Sequence, residues 1–230
     1  MTLITRPLAN LWWRLVHYGF RLLYHELAFT YDTVSWIVSL GAWRCWQRAA
    51  LSHLTAQSSG LVLEVAHGTG NLQSDLKAAG FLTIGCDRSP QMGRLAQRKL
   101  KRLGLSAKLV RGRAEQLPFP TGCFVAVVAT FPTEFIVADE TLCEIHRVLG
   151  DDGRLVVVLS GSFVGRGLIK AFLEWLYRIT GQRPTGRRSN QMAEIPALFA
   201  AHGFDHELIQ EPCRRSVALV IVAQKRSGIP

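Results

Sequence analysis

A short apolar run that ends in a glycine-rich turn constrains this chain more than any other stretch. Residues 61–66 are apolar apart from Glu64, as a strand buried inside a parallel sheet requires. Residues 67–70, His-Gly-Thr-Gly, then turn the chain, and residues 71–76 begin a helical pattern. A glycine turn between the end of a strand and the start of a helix lets a ligand approach the backbone closely. The stretch therefore predicts an α/β fold with a ligand site at the carboxyl end of a strand.

The composition of the turn narrows the class of ligand. Its pattern is G-x-G, and Gln73 stands where the third glycine of a dinucleotide fingerprint would be. A second apolar stretch, residues 81–86, leads to Asp87, which lies 17 residues beyond Gly70. An acid at the end of the second strand of such a unit can accept hydrogen bonds from both hydroxyls of a ribose. These features favour a nucleoside without a long phosphate chain.

Four motifs that occur in order along the chain make the assignment more specific. They are E-V-A-H-G-T-G at residues 64–70, G-C-D at 85–87, A-E-Q-L-P-F at 114–119 and E-I-H-R-V-L-G-D-D-G-R-L at 144–155. Together they resemble the class I S-adenosylmethionine-dependent methyltransferases. The resemblance implies a Rossmann-like α/β fold, with a seven-stranded, mostly parallel sheet, helices on both faces and an antiparallel last strand. Residues 8–29 and 31–54, which are apolar and rich in tryptophan, add a helical lid at the N-terminus to this prediction.

The chain divides into two predicted parts. Residues 1–58 form the lid, and residues 59–230 form the methyltransferase domain, with a helical insertion at 161–190. Within the domain, apolar patterns predict strands at 81–86, 107–111, 123–129, 154–159, 204–211 and 215–223 and helices at 72–79, 90–103, 138–149 and 191–202. The lid is rich in tryptophan, with arginines interspersed. Such helices either pack their apolar face on the domain or lie on a bilayer, and both alternatives stay open.

A second resemblance lies within the lid. The residues that carry it are Tyr31, Asp32, Ser39, Leu40, Gly41, Arg44 and Trp46. They are similar to the N-terminal segment of the ubiquinone- and menaquinone-biosynthesis C-methyltransferases, in which this segment covers the cofactor and helps to shape the quinol pocket. For any single residue of the pattern, a structural role in the core of the lid is the alternative.

The charge and the cysteine content of the chain limit which partners it can have and which cellular compartment it suits. The chain carries a formal net charge of +10, which attracts anions such as a membrane surface, an acidic substrate or nucleic acid. We expect no nucleic-acid partner, because the chain has no N/D-P-P-Y/F motif and no appended RNA-binding domain. The five scattered cysteines fit a reducing cytoplasm and neither a disulfide framework nor a zinc site. We therefore expect a cytoplasmic protein without a metal, and contact with an anionic membrane surface stays open.

The resemblance to the methyltransferases also implies which residues hold the cofactor, S-adenosyl-L-methionine. Glu64 is expected at its methionine end and Asp87 at its ribose. The whole expected set is Glu64, Ala66, His67, Gly68, Thr69, Gly70, Asp87, Arg88, Met92, Ala114, Glu115, Thr130 and Phe131. Family members commonly carry an aspartate, which contacts the adenine amino group, where this chain has Arg113. The chain departs from the family pattern at that contact.

Methyl transfer from the cofactor requires little of the protein beyond the alignment of the reactants. Methyl transfer from a sulfonium is an in-line displacement with an excellent leaving group, so the protein mainly orients the reactants and excludes water. An acceptor that loses a proton needs one group to take it. His67 and Tyr31 are the catalytic candidates, because one lies beside the turn and the other at the start of the lid pattern. A place in the wall of the methionine pocket is the alternative for His67.

We therefore expect an S-adenosylmethionine-dependent methyltransferase that acts on a small lipophilic acceptor, such as a prenylated quinol. N-methylation of a phospholipid headgroup is an alternative that fits the same basic, aromatic lid. A non-catalytic partner subunit with the methyltransferase fold is the other alternative, and Arg113 is the residue that favours it most.

Overall fold

The computed structural model of the protein describes residues 28–54, 60–106, 108–164, 195 and 197–226. The first half of the predicted lid, residues 1–27, lies outside this part of the chain. Most of the predicted insertion, residues 165–190, lies outside it as well. The predicted helix at 191–202 is described only at residue 195 and from residue 197 onward.

The domain is built on a single sheet of seven strands. They are β1 (Leu61–Val65), β2 (Leu82–Asp87), β3 (Lys108–Arg111), β4 (Phe124–Thr130), β5 (Leu149–Phe163), β6 (Phe204–Cys213) and β7 (Ser216–Lys225). Their order across the sheet is β3-β2-β1-β4-β5-β7-β6. Neighbours from β3 to β5 pair in parallel, whereas β7 runs antiparallel to both β5 and β6. Six strands thus share one direction and the last is reversed, so the predicted fold is confirmed.

Helices connect the strands and precede the sheet. They are α1 (Tyr31–Val38), α2 (Trp43–Arg48), α3 (Asn71–Ala78), α4 (Pro90–Arg102) and α5 (Asp139–Val148), with 3-10 turns at Ala28–Thr30, Leu51–His53 and Glu134–Val137. Residues 195 and 197–201 are also helical. The bounds of α3, α4 and α5 fall within one residue of the predicted ones.

The clearest difference from the predicted bounds is in β5, which is longer at both ends. It begins at Leu149, which pairs with Phe124 before a shift of register. It ends at Phe163, which pairs with Ser216 of β7. The antiparallel partner β7 supplies ladder hydrogen bonds beyond the parallel ones, so the strand continues past the predicted start of the insertion at Gly161.

The described part of the predicted lid, residues 28–54, packs its second helix, α2, into the domain. Trp46 of α2 is only 2% exposed and belongs to the same apolar cluster as Leu72, Val128 and Val220. Its indole Nε1 donates a hydrogen bond of 2.9 Å to the hydroxyl of Ser216. The back of the lid, helix α2, is therefore part of the core on that face of the sheet.

A disulfide bond also joins the lid to the sheet. Cys45 of α2 is bonded to Cys213 at the end of β6, with a Cα–Cα distance of 6.1 Å. The expectation that the cysteines form no disulfide is therefore wrong for this pair. The two residues are 168 positions apart in sequence, so only the folded sheet brings them together.

Two further findings concern the residues that the structure describes. None of their helices combines the length and the apolar character that crossing a bilayer requires. They also contain no group of His, Cys, Asp and Glu side chains arranged to hold a metal ion.

Candidate functional site

The carboxyl ends of the central strands meet at one edge of the sheet. Val65 of β1 pairs with Cys86 of β2 on one side and with Ala129 of β4 on the other. The residue immediately after β1, Ala66, has φ +56°, and the residue immediately after β4, Phe131, has φ +50°. Left-handed backbone at non-glycine residues costs free energy and tends to cluster at functional sites. This edge is also where open parallel sheets bind their ligands.

The two glycines of the turn have different functions. A Cβ atom added to Gly68 would meet nothing within 4 Å, so the backbone there faces open space that a ligand can fill. A Cβ added to Gly70, whose φ is +79°, would lie 2.8 Å from the Cβ of Ala96. Gly70 is therefore required for the turn to pack against α4, and Gly68 is the residue that leaves room for a bound group.

One carboxylate holds the turns after β1 and β2 together. Asp87 accepts a hydrogen bond of 2.8 Å from the N–H of Gly68 through Oδ2. Its Oδ1 accepts a hydrogen bond of 2.7 Å from the N–H of Ser89. A carboxylate oxygen can accept more than one hydrogen bond, so both oxygens keep capacity for hydroxyl donors.

Glu64 is buried at the end of β1. It is 1% exposed, and its Oε2 has no hydrogen-bond partner among the described residues. Burial raises the pKa of Glu64 to about 8, a hydrogen bond from Gln73 opposes this rise, and the charge of Asp87 adds to it. An unpartnered buried carboxyl oxygen is costly unless a ligand group pairs with it. Glu64 is thus suited to a cationic or hydrogen-bond-donating group beside the turn.

His67 lies within the wall beneath the turn. It is 4% exposed, and its Nδ1 donates a hydrogen bond of 2.9 Å to the carbonyl of Gly68. The ring lies over β2, where a Cβ on Gly85 would come within 2.9 Å of its Cδ2. Burial lowers the pKa of His67, although the nearby Asp87 carboxylate opposes this, so the imidazole is neutral near pH 7. This position favours the wall of the pocket over a base that faces an acceptor.

An aromatic group covers the carboxyl end of β4. Trp43 of α2 stacks on Phe131 with ring centroids 4.0 Å apart and planes 22° apart. Tyr31 meets the edge of Trp43 at 6.4 Å between centroids. The indole Nε1 of Trp43 is buried and has no hydrogen-bond partner within the described part of the chain. Beside the group, Gln47 of the lid donates a hydrogen bond of 3.5 Å to the hydroxyl of Thr130.

The segment expected at the adenine end comes directly after β3. Gly112 donates a backbone hydrogen bond of 3.2 Å to the carbonyl of Asp87, which places this segment beside the second turn. Arg113 lies 3.5 Å from the carboxylate of Glu115. The pKa of Glu115 is lowered, first by its own backbone N–H and then by Arg113. Met92, expected beside the adenine, is a buried residue of α4 and is only 2% exposed.

Two side chains that the sequence did not assign to the site hold this segment in place. Glu144 accepts a hydrogen bond of 2.7 Å from the N–H of Leu117. Arg147 donates hydrogen bonds to the carbonyls of Phe119 at 2.8 Å and Leu117 at 3.0 Å. Both belong to the fourth motif, whose E-x-x-R spacing places them on one face of α5. The E-x-x-R spacing was therefore the sequence feature that could have identified both residues.

Comparison with known protein families identifies a methyltransferase domain. The model of that family matches residues 62–153, which include the glycine turn, Asp87, Glu144 and Arg147.

Two curated relatives extend the match beyond that domain. The demethylmenaquinone methyltransferase of Thermus thermophilus is 36% identical over 139 residues, which is 59% of this chain and 63% of that protein. The demethylmenaquinone methyltransferase of Lactiplantibacillus plantarum is 33% identical over 162 residues, which is 67% of this chain and 68% of that protein. The chain thus spans less than two thirds of the Thermus protein and slightly more than two thirds of the Lactiplantibacillus one.

Solved structures show the same fold. A geranyl diphosphate methyltransferase, solved in complex with GPP and sinefungin, superposes with a TM-score of 0.57 at 15% sequence identity. The superposition covers 79% of this chain and 78% of that one.

The raised pKa of Glu64 predicts a pH dependence of stability for the protein without ligand. Because the folded-state pKa of about 8 exceeds the ordinary value of 4.5, the folded protein binds more protons than the unfolded chain between these pH values. The free energy of unfolding therefore falls as pH rises through this window. In Glu64→Gln this fall is absent, so we expect the variant to gain several kcal/mol over the native protein at about pH 8 and little at about pH 5.

Urea unfolding at a series of pH values measures the effect. The exposed Glu140 provides the control, because Glu140→Gln removes a carboxylate from the surface of α5. Parallel pH profiles for Glu64→Gln and the native protein would contradict the assignment of this group.

Proposed function

The chain belongs to the family of S-adenosylmethionine-dependent methyltransferases, and we propose that it transfers a methyl group from this cofactor to a small lipophilic acceptor. The observation that carries the proposal is the Asp87 carboxylate, which bridges the turns after β1 and β2 directly beside the open face of Gly68. A nucleoside placed across these two strand ends meets backbone on one side and a carboxylate on the other.

The residues at the sheet edge fit the cofactor by chemical type. Asp87 has acceptor capacity for the two ribose hydroxyls, and Gly68 has no side chain to exclude the nucleoside. Glu64 has a buried oxygen that no described residue pairs with, and this oxygen suits the methionine ammonium. We propose that Ala66, His67, Thr69, Gly70, Thr130 and Phe131 line the methionine end, and that Arg88, Met92, Ala114 and Glu115 border the adenine. Glu115 then makes the adenine contact that an aspartate makes in other family members, at the position that Arg113 holds in this chain.

The protein's contribution to the reaction is alignment and the exclusion of water. When bound, S-adenosylmethionine supplies a methyl group on a sulfonium, which is already an excellent leaving group. The lid and the aromatic group of Tyr31, Trp43 and Phe131 cover the strand ends where an acceptor would approach. Such a covered, apolar site favours an in-line displacement because it fixes the approach and keeps water out.

Tyr31 is our candidate for a residue that touches the acceptor. It lies at the start of α1 and contacts the edge of Trp43, whereas His67 is buried beneath the glycine turn. We propose that the phenol of Tyr31 borders the acceptor and relays its proton, passing its own hydroxyl proton to water as it takes up the proton of the acceptor. The neutral imidazole of His67 shapes the pocket wall instead, through its hydrogen bond to the carbonyl of Gly68.

A prenylated quinol is the acceptor class that we propose. The relatives from Thermus and Lactiplantibacillus are named for methylation of demethylmenaquinone. In this chain, the stacked Trp43 and Phe131 offer flat apolar surface of the kind that packs against aromatic rings. The Nε1 of Trp43, which no described residue pairs with, can donate a hydrogen bond to a ring oxygen.

Binding of the cofactor is the first test. Asp87→Asn removes the negative charge that pairs with the ribose hydroxyls, so we expect the affinity for S-adenosylhomocysteine to fall by about 10- to 100-fold, or about 1.5–3 kcal/mol. Isothermal titration calorimetry measures the dissociation constant. The control is Asp151→Asn, an exposed carboxylate beyond α5. A native protein that binds no cofactor would support the non-catalytic alternative, and an unchanged affinity in Asp87→Asn would refute the ribose assignment.

Methyl transfer to a defined acceptor is the second test. We expect radiolabelled methyl groups from S-adenosylmethionine to appear in a prenylated naphthoquinol that lacks the ring methyl. Tyr31→Phe should lower the rate by at least about 10-fold, because a group that takes part in proton transfer commonly contributes more than that. Label in phosphatidylethanolamine instead of the quinol would favour headgroup methylation and contradict the proposed acceptor.

We also propose that the described part of the lid contacts an anionic membrane surface on the cytoplasmic side. Four large apolar side chains there are highly exposed: Phe29 at 69%, Trp36 at 61%, Ile37 at 57% and Leu40 at 53%. The 3-10 turn Ala28–Thr30 packs against α4, whose exposed side chains include the basic residues Arg94, Arg98, Lys101 and Arg102. Apolar side chains beside a basic surface suit binding to acidic lipids, from which a lipophilic acceptor could enter.

Vesicle flotation tests the membrane proposal. The double variant Trp36→Ser/Ile37→Ser removes exposed apolar surface without touching the core, so we expect its binding to phosphatidylglycerol vesicles to fall by about fivefold or more. Leu208→Ser on β6 is the matched control, since Leu208 is 55% exposed on a different part of the domain. The same flotation for both variants, or equal binding to phosphatidylcholine vesicles, would contradict the proposal.

A further inference from the structure

Four polar side chains form a closed hydrogen-bonded ring between the lid and the glycine turn. Asp32 at the start of α1 accepts hydrogen bonds from the hydroxyl of Thr69 at 2.6 Å and from the side-chain amide of Asn71 at 2.9 Å. Its second oxygen accepts a hydrogen bond of 2.6 Å from the ammonium of Lys99. The ring therefore joins four elements: the lid, the turn after β1, the start of α3 and helix α4.

Lys99 completes the ring from the opposite side. Its ammonium also donates to the amide oxygen of Asn71 at 2.6 Å and to the hydroxyl of Thr69 at 3.3 Å. All three of its donors are thus used, which an isolated surface ion pair does not achieve. The other basic residues of α4 are exposed, whereas the side chain of Lys99 is only 27% exposed. Within that basic helix, Lys99 is the residue directed at the lid.

The pairing is charge-assisted and partly shielded from solvent. Burial alone would raise the pKa of Asp32, but the hydrogen bonds from Lys99, Thr69 and Asn71 outweigh burial and lower it. The carboxylate is therefore ionised at neutral pH and remains a strong acceptor.

The two ends of the described lid are attached to the domain by different means. Its back is held by the disulfide of Cys45 and by Trp46, which is buried in the core. Salt bridges from Arg44 and Arg48 to Asp75, at 2.7 and 3.0 Å, add to this attachment. Its front, at the start of α1, is attached in part through Asp32, by hydrogen bonds that can break and re-form, beside the packing of Ala28–Thr30 against α4. Any opening of the lid at the front must therefore break the ring.

We propose that Asp32 is a positioning residue whose ring with Thr69, Asn71 and Lys99 holds the front of the lid closed on the glycine turn and couples this closure to occupancy of the turn. Thr69 lies between Gly68, which faces the open space, and Gly70, which packs on α4. A ligand that holds the glycine turn in place therefore also holds the hydroxyl of Thr69, which is hydrogen-bonded to Asp32 when the lid is closed. The identity of that ligand as the nucleoside cofactor rests on the function proposed above.

Hydrogen exchange of the backbone amides of α1, followed by mass spectrometry, tests the closure directly. In the native protein we expect S-adenosylhomocysteine to slow this exchange. Without ligand, Lys99→Met and Asp32→Asn should each speed it by about fivefold or more, because charge-assisted bonds that hold the closed lid are lost. The variant Lys101→Met removes the same charge from an exposed position two residues away and should leave the exchange unchanged.

Two further measurements separate positioning from a general loss of structure. Lys99→Arg keeps a cationic donor and should recover at least part of the slow exchange. The double variant Asp32→Asn/Lys99→Met should exchange no faster than the single variants, since residues of one ring act as a unit. Exchange in the core strands β1 and β4 should stay unchanged in all of them.

The coupling is tested by ligand affinity. We expect Lys99→Met to bind S-adenosylhomocysteine about three- to tenfold more weakly than Lys101→Met, because part of the binding free energy then closes the lid. If Lys99→Met showed the same exchange and the same affinity as Lys101→Met, the inference would be overturned and the proposed function would still stand. A native protein that binds no cofactor would overturn the proposed function and the coupling, and exchange without ligand would still decide whether the ring holds the lid.

Discussion

The hydrogen bonds that Asp87 accepts from the backbone of Gly68 and Ser89 are the interaction on which the site depends. They fix the turn after β1 relative to the turn after β2, so the two strand ends present one surface. This is possible only because the strands are parallel and adjacent, which places their carboxyl ends at the same edge. The same carboxylate that organises the turns is the one that we propose for the ribose, so a change at Asp87 would affect the turns and the proposed sugar contact together.

Along the sheet edge from this carboxylate, the protein has a buried acid at the end of β1 and an aromatic cover at the end of β4. Glu64 is deprived of water, and one of its oxygens has no partner among the described residues, which is an unfavourable state unless a ligand relieves it. Trp43 and Phe131 stack where the neighbouring strand ends, on backbone that is itself strained at Phe131. A buried oxygen without a described partner and left-handed backbone at the same edge are typical of a site in which stability is sacrificed for binding.

The arrangement of the site is predictable from the sequence where the relevant signal is local. The strand, the glycine turn and Asp87 lie between residues 61 and 87, and the hydrophobic pattern and glycine spacing predict their arrangement. Prediction fails where a side chain finds its partner through the fold. The direction of His67 depends on the space above Gly85 of the next strand, the pair Asp32–Lys99 spans 67 positions and the disulfide spans 168. Lys99 in particular is indistinguishable in sequence from the basic residues around it.

The bond between Cys45 and Cys213 has a consequence for how this lid can move. It fixes α2 to the tip of the antiparallel hairpin of β6 and β7. Because α2 is covalently anchored, any movement of α1 away from the sheet would be a rotation about this bond and not a departure from the domain. A substrate would then enter through a wedge-shaped opening between the lid and the sheet, which is widest near Asp32. The angle of the lid's rotation would therefore limit the size of the substrate. In a reducing environment the pivot would rest on noncovalent contacts such as those of Trp46, and the same segment would gain translational freedom.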